Sequence, residues 1–229
     1  MKNKPTVSAV IVAAGSGTRM GGVSKPLIDL GGKTVLERVL DAVSAAETVD
    51  DIVLVCRKSN EIDTIVSRCK KPIKTVEGGA TRTESVRNGA MAAKSDFLCF
   101  HDCARPFIKS EDIDRVVNAA LSCGAASACA PEYNTVKYLD ANRKVLFTPE
   151  RDRLIAVQTP QVLKRDIYLI SLAAALKKDI RSTDETTIAE LAGFRVDYVD
   201  IGTYNFKLTD AADVKRAKAM IFLESRGML

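Results

Sequence analysis

The sequence has one histidine, His101, and none of its six cysteines forms a C-x-x-C pair. A lone imidazole with no evident partner makes neither a histidine-built metal site nor a serine–histidine triad. We read His101 as a partly buried structural residue. Cys56, Cys69, Cys99, Cys103, Cys123 and Cys129 mostly sit in apolar runs, and we expect reduced core thiols in a cytoplasmic protein. No apolar stretch approaches the roughly 20 residues of a bilayer-crossing helix. The run after the N-terminal residues, Val10–Ala14, is too short for a signal peptide. No basic run of five or more residues occurs. Lys and Arg number 34 against 29 Asp and Glu, a net charge of +5. That excess is too mild and too dispersed for nucleic acid, but it suits an anionic substrate. Repeats, low-complexity tracts and Pro- or Gly-rich linkers are also missing. What remains is an ordinary globular chain of 229 residues, 46% hydrophobic and 28% charged, expected to form a single domain over 1–229.

Short apolar runs alternate with longer amphipathic stretches. Val7–Ala13, Ile52–Cys56, Ile73–Val76, Phe97–His101 and Ala125–Ala130 are near-continuous apolar runs, expected of strands covered on both faces. Between them, Thr34–Val43, Glu61–Cys69, Arg82–Ala93 and Ser110–Leu121 carry helical periodicity, with Thr34 and Glu37 forming a capping box. The alternation predicts a mostly parallel, Rossmann-like α/β sheet with helices on both faces. The rhythm breaks after Pro131. Asn134–Lys137, a turn over Asp140–Lys144 and Val145–Thr148 read as a hairpin, an inserted β-arm spanning 132–150 that must pack on its own core or on a second subunit. Helices return at Lys164–Lys177 and Asp184–Ala192. A last strand is expected at Arg195–Val199 and a last helix from Ala211 to Ser225.

The first strand runs into Ala13-Ala14-Gly15-Ser16-Gly17-Thr18-Arg19, followed by Lys25. A Gly-rich turn there lets backbone N–H groups approach phosphate oxygens. The dinucleotide fingerprint fails because Met20 stands where its third glycine belongs. The P-loop fails because Val23 stands where lysine is needed. A glycine loop with two cations, Arg19 and Lys25, suits a triphosphate attacked at its inner phosphate; an ordinary tight turn with two surface cations is the competing reading. Gly78-Gly79 with Arg82 and Ser85 opens a helix after a strand, where a base or sugar can be read, or where a plain βα turn suffices. Asp102 closes a parallel strand and projects toward the crevice, placed for a ribose hydroxyl or a hard cation. Arg151 with Gln158–Gln161, and Asn205–Thr209, form further polar clusters. The residues themselves carry the reading to a phosphate- or nucleotide-handling α/β enzyme.

In order along the chain, A-A-G-S-G-T-R-M…K, G-G-x-x-R-x-x-S-V, H-D-C-A-R-P-F, N-T-V-K, T-P-E-R…Q-T-P-Q, S-T-D-E and N-F-K-L-T extend from Ala13 to Thr209. Together they resemble the 2-C-methyl-D-erythritol 4-phosphate cytidylyltransferase family of the non-mevalonate isoprenoid pathway; the related ribitol-5-phosphate cytidylyltransferases share most of these motifs and are the alternative. The resemblance implies a nucleotidyltransferase fold of the GT-A-like type, with a β-arm exchanged across a homodimer. It implies a Mg²⁺-dependent transfer of CMP from CTP to a polyol phosphate, with no nucleic-acid or membrane partner. Residue by residue it implies Ala13, Ala14, Gly15 and Gly17 as the nucleotide cradle, with Gly79, Arg82, Ser85, Asp102 and Ala104 also nucleotide-binding. Arg19, Lys25, Arg151 and Lys207 are the implied catalytic cations, with Arg151 reaching a neighbouring subunit. Arg105, Thr135, Thr159 and Thr183 are the implied substrate contacts, and Asp102 the metal-binding residue.

Three departures stand out. Ser24-Lys25-Pro26 replaces the family's usual Pro-Lys-Gln, Asn134 stands where an aspartate is usual, and Ala80 stands where an acidic residue often follows the two glycines. None removes a cation of the implied mechanism.

Overall fold

The structure is a computed structural model that describes residues 4–15, 24–178, 180, 182 and 184–228. A seven-stranded sheet forms its centre, built from β1 (Val7–Val12), β2 (Asp51–Cys56), β3 (Ile73–Glu77), β4 (Phe97–Asp102), β5 (Ala125–Pro131), β8 (Ile155–Lys164) and β9 (Asp197–Asp200), in the order β3-β2-β1-β4-β8-β5-β9. β6 (Tyr138–Leu139) and β7 (Val145–Phe147) form a separate hairpin.

Both faces of the sheet are buried. In β1, Val7, Ala9 and Ile11 enter one core layer and Val10 the other, so the strand reads as an unbroken apolar run. The first layer is closed by α1 (Val35–Ala45), α2 (Asn60–Val66), α4 (Ser110–Cys123) and α7 (Ala211–Glu224), through residues such as Leu36, Ile62, Val116 and Ile221. The second is closed by α3 (Arg82–Ala92), α5 (Arg165–Lys177) and α6 (Glu185–Leu191), through Val86, Tyr168 and Ile188. Gly89 lets α3 lie close on the sheet: a Cβ there would stand 2.5 Å from Val10 and 2.6 Å from Val55. The expected capping box of α1 is present, with Thr34 accepting from the Glu37 N–H and Glu37 reaching back.

The strand that periodicity did not reveal is β8, which runs antiparallel between β4 and β5. Its middle, Gln158-Thr159-Pro160-Gln161, reads as a polar cluster, and proline argues against a central strand. The structure reconciles this in two ways. The β5–β8 ladder shifts register between Ser127 and Cys129, which leaves room for Pro160 outside the regular pairing. The polar side chains are buried but bonded: the Gln158 amide donates to the Gly202 carbonyl at 2.9 Å, and Gln161 Oε1 accepts from the backbone N–H groups of Glu185 and Thr186.

The arm is shorter in strand than expected. β6 begins at Tyr138, so Asn134–Lys137 lies outside it. Asp140 accepts from the N–H groups of Asn142 and Lys144 to close the turn. Tyr138 and Phe147 stack at 5.0 Å, and with Tyr133, Val145 and Leu146 they stand exposed.

Candidate active site

Parallel strands direct their C-terminal ends to one edge of the sheet, and a crevice forms at the point where the strand order reverses. Here that point lies between β1 and β4. The ends of the two strands are locked together by the Cys103 N–H donating to the Val12 carbonyl at 3.1 Å. A cleft of about 310 Å³ opens above them, lined in part by Ala13, Ala14, Gly15, Lys25, Asp102 and Lys207.

One wall is the turn from β3 into α3. Thr81 caps the helix with Glu84 in a second capping box. Ser85 donates its hydroxyl to the Thr81 carbonyl and accepts from the Gly79 N–H at 3.0 Å, which shapes the turn from within. Gly78 has to be glycine, since a Cβ would lie 2.1 Å from the Ala14 methyl. The opposite wall is held by chain segments after β9. The Leu208 N–H donates to the Ala104 carbonyl at 2.8 Å, and Lys25 Nζ donates to the carbonyls of Leu208 and Thr209 at 2.9 and 3.3 Å.

Asp102 is the electrostatic centre. Its Oδ2 lies 2.6 Å from Lys207 Nζ, and its Oδ1 accepts from Arg82 Nη2 and Nε at 3.1 and 3.2 Å. Burial opposes its charge, but Arg82 and Lys207 outweigh that and hold the carboxyl well below the usual range. Burial likewise works against the Arg82 charge, and Glu185 and Asp102 more than offset it. Beneath Asp102 lies a bonded relay. The Asp102 N–H donates to Thr159 Oγ1 at 3.2 Å, Thr159 Oγ1 lies 3.0 Å from His101 Nδ1, and His101 Nε2 lies 3.2 Å from the Arg105 carbonyl. A carbonyl only accepts, so Nε2 carries the proton and Nδ1 accepts from the threonine hydroxyl. Burial brings His101 down to about 4, which keeps the ring neutral. His101 is a structural residue.

Of the residues singled out in the sequence, Ala13, Ala14, Gly15, Lys25, Gly79, Arg82, Ser85, Asp102, Ala104 and Lys207 converge on the cleft. Thr159 and Arg105 do not line it. Thr159 is buried under Asp102, and Arg105 turns away to donate to the Asn205 carbonyl at 2.8 Å. Thr135 is exposed on the arm. Arg151 lines a separate depression at the base of the arm with Tyr133, Asp152 and Leu154. Gly17, Arg19 and Thr183 lie outside the described residues. The structure adds Arg57, Pro26 and Thr81 to the lining and Glu185 behind Arg82. Arg57 directly follows β2 and is placed by the same strand-end rule as Asp102, so the strand boundary was its signal. Glu185 reads in sequence as an ordinary acidic residue in the first turn of a helix, and its partner is 103 residues away.

Among the described residues no three or more His, Cys, Asp or Glu side chains gather into a metal cage. Among the described residues of the cleft lining, Asp102 is the only carboxylate. A single carboxylate fits a hard cation that takes its remaining oxygens from a bound phosphate chain, and does not fit a metal held by protein alone. All six cysteines are free, and burial pushes the Cys99 thiol up to about 12 and raises that of Cys103 at the cleft. No helix among the described residues is long and apolar enough to cross a membrane.

The comparisons with known proteins agree with this geometry. The family model for IspD, 2-C-methyl-D-erythritol 4-phosphate cytidylyltransferase, matches residues 7–223. The 2-C-methyl-D-erythritol 4-phosphate cytidylyltransferase of Clostridium botulinum (strain Eklund 17B / Type B) is 38% identical over 220 residues, covering 91% of this chain and 96% of that protein. The bifunctional enzyme IspD/IspF of Anaeromyxobacter dehalogenans (strain 2CP-C) is 37% identical over 220 residues; the match takes in 94% of this chain, which spans only 57% of that relative's length. The crystal structure of 4-diphosphocytidyl-2C-methyl-D-erythritol synthase from Anaerococcus prevotii DSM 20548 superposes with a TM-score of 0.87 at 32% identity, over 95% of this chain and 96% of that one. By sequence along nearly its whole length and by fold, the chain belongs to the 2-C-methyl-D-erythritol 4-phosphate cytidylyltransferase family.

Proposed function

We propose that the protein transfers CMP from CTP to 2-C-methyl-D-erythritol 4-phosphate, giving 4-diphosphocytidyl-2-C-methyl-D-erythritol and pyrophosphate. The observation that carries this is the meeting of Lys25, Lys207 and Asp102 with the glycine turn of Gly79 at the β1–β4 crevice. A phosphate oxygen of the acceptor attacks the α-phosphorus of CTP. The bond from that phosphorus to the β-phosphate oxygen breaks, and pyrophosphate takes the electron pair.

Two anions must meet for this to happen. At about 4 Å and an effective dielectric of about 20, each unit pair repels by about 4 kcal/mol. Lys25 and Lys207 offset that repulsion, and their anchors fix where they act: Lys25 is tied to two carbonyls and Lys207 to Asp102. The backbone of Ala13–Gly15 and the turn of Gly79 and Ser85 hold the nucleotide. Holding both substrates together converts a bimolecular encounter into a local one. A phosphate dianion needs no general base, consistent with a neutral, buried His101. Asp102 would hold Mg²⁺, which supplies charge neutralisation on the triphosphate when bound. The exposed arm with Tyr138 and Phe147 serves a homodimer in this reading, with Arg151 delivered to the partner's acceptor phosphate; the protein works in the cytoplasm.

The test is pyrophosphate release by purified protein with CTP and Mg²⁺, with methylerythritol phosphate and ribitol phosphate supplied separately. Release with the first substrate is expected. Release with ribitol phosphate alone would overturn the acceptor, and silence with both would overturn the reaction.

A further inference from the structure

One buried carboxylate takes no part in the chemistry above. Glu185, 5% exposed, opens α6 and is absent from the cleft lining, yet it meets a residue that is in it. Arg82 Nη1 donates to Glu185 Oε1 at 2.8 Å and Nη2 to Oε2 at 3.2 Å, a two-pronged pair. With its other edge Arg82 gives Nε and Nη2 to one oxygen of Asp102. Lys207, Asp102, Arg82 and Glu185 thus alternate in sign along one connected row. Glu185 is itself fixed. Its N–H donates to buried Gln161 at 2.9 Å, and Asp184 caps the helix it opens.

We propose that Glu185 is a positioning residue for the transfer reaction: by drawing the Arg82 guanidinium toward α6, it leaves the Asp102 carboxylate able to take a divalent cation. The inference rests on the reading of Asp102 as the metal-holding group. Its physical basis is sharing. A guanidinium held between two carboxylates divides its hydrogen bonds and its field between them. If Glu185 loses its charge, the whole of Arg82 turns on Asp102 and competes with the incoming cation. The row of four charges, balanced in the native protein, is then left with one net positive charge. Both effects weaken a metal ion. The second effect also strengthens the site for a bare triphosphate.

That opposite pair of signs separates positioning from mere support of α6, which would weaken binding in both conditions. The experiment measures CTP affinity by calorimetry with saturating Mg²⁺ and with EDTA, in the wild type, Asp102→Asn and Glu185→Gln. The wild type is expected to bind CTP more tightly with Mg²⁺, and Asp102→Asn to abolish the gain. Glu185→Gln is expected to cut the gain by about five- to tenfold, a coupling of ordinary allosteric size, while metal-free CTP affinity stays equal or rises. If Asp102→Asn keeps the full Mg²⁺ gain, the reading of Asp102 fails and the inference with it. If Asp102→Asn abolishes the gain but Glu185→Gln keeps it, or weakens CTP equally in both conditions, the inference alone is overturned. Should Glu185→Gln not fold, Glu185→Asp replaces it: its carboxylate is drawn back by one methylene from the two-pronged pair. It is expected to lose at least about threefold of the same gain; an unaltered gain overturns the inference.

Discussion

Lys207 Nζ lies 2.6 Å from Asp102 Oδ2, a bond that ties the end of β4 to the segment between β9 and α7. The pair spans 105 residues of sequence, and it brings a cation to the one carboxylate among the described residues of the cleft lining. Lys207→Met removes the cation and keeps most of the stem. It is expected to cost at least about 100-fold in kcat/KM, the scale of losing one preorganised electrostatic contact to a developing charge. Lys207 is 37% exposed at the side chain but its partner Asp102 only 10%, and Asp102 keeps Arg82, so the stability cost should be about 1–3 kcal/mol. Steady-state kinetics and urea unfolding check the two halves. A variant with near-native kcat/KM would remove Lys207 from the mechanism.

His101 predicts how the fold responds to acid. Its ring is neutral in the native protein because burial lowers it from 6.5 to about 4. Between those values the unfolded chain binds a proton that the native one does not, so stability rises with pH across this window and falls on acidification. The slope approaches about 1.4 kcal/mol per pH unit, and the full effect is roughly 3 kcal/mol. Asp102 acts in the same direction at lower pH: its native carboxyl is held down, so its contribution is present above the ordinary carboxylate range and disappears as pH falls toward the native value. His101→Gln, which keeps a donor for the Arg105 carbonyl, should flatten the slope between pH 4 and 6.5 in urea titrations. An unchanged slope there would assign the acid sensitivity to other groups.

Gly89 couples the packing of α3 to the nucleotide wall. In Gly89→Ala the new methyl meets Val10 and Val55, whose β-branched side chains have little room to rotate away. Overpacking of this kind costs about 1–3 kcal/mol, partly offset by the roughly 1 kcal/mol that alanine gains over glycine in a helix. The melting temperature should fall by a few degrees. Because α3 begins at Arg82, a displaced helix should also raise the KM for CTP more than it lowers kcat. The double variant with Val10→Ala should recover most of both, which a general loss of folding would not do.

Much of this fold was legible from apolar periodicity. The strands covered on both faces, such as β1 and β2, appear in the sequence as continuous runs, and Thr34 and Glu37 announced the start of α1. β8 was not legible, because the buried run 158–163 has polar Gln158, Thr159 and Gln161, whose partners are Gly202, Asp102 and the start of α6, and only Val162 and Leu163 as an apolar end. Burial of polar groups by long-range bonding leaves no local period to read. The site follows the same division. Ala14, Gly79 and Asp102 sit at strand ends and in glycine turns, which short motifs mark. Glu185 acts through Arg82 from a distant helix, and no spacing rule connects the two. Thr159 and Arg105 stood in the right motifs but do not line the cleft: Thr159 accepts from the Asp102 N–H, and Arg105 donates to the Asn205 carbonyl.

The position of Arg151 makes the role of the arm testable. Within one chain it faces the depression beside Tyr133 and Leu154 rather than the cleft of Lys25. Its guanidinium donates to the Tyr133 carbonyl at 3.4 Å, at the foot of a hairpin whose Tyr138 and Phe147 are exposed. A symmetric dimer that exchanges such arms would build each site from two chains. Differently tagged Arg151→Ala and Lys25→Ala chains, co-expressed and purified as the mixed dimer, decide the matter. If the arm crosses, one of the two sites has both residues, and the mixed dimer should keep about half of the wild-type activity while each parental dimer loses most of it. If Arg151 acts within its own chain, both sites of the mixed dimer are defective and it should be as inactive as its parents. Ultracentrifugation of Phe147→Glu gives the companion result: a charge placed on the exposed face of the arm should shift the protein toward monomer, and activity should fall with the loss of the dimer.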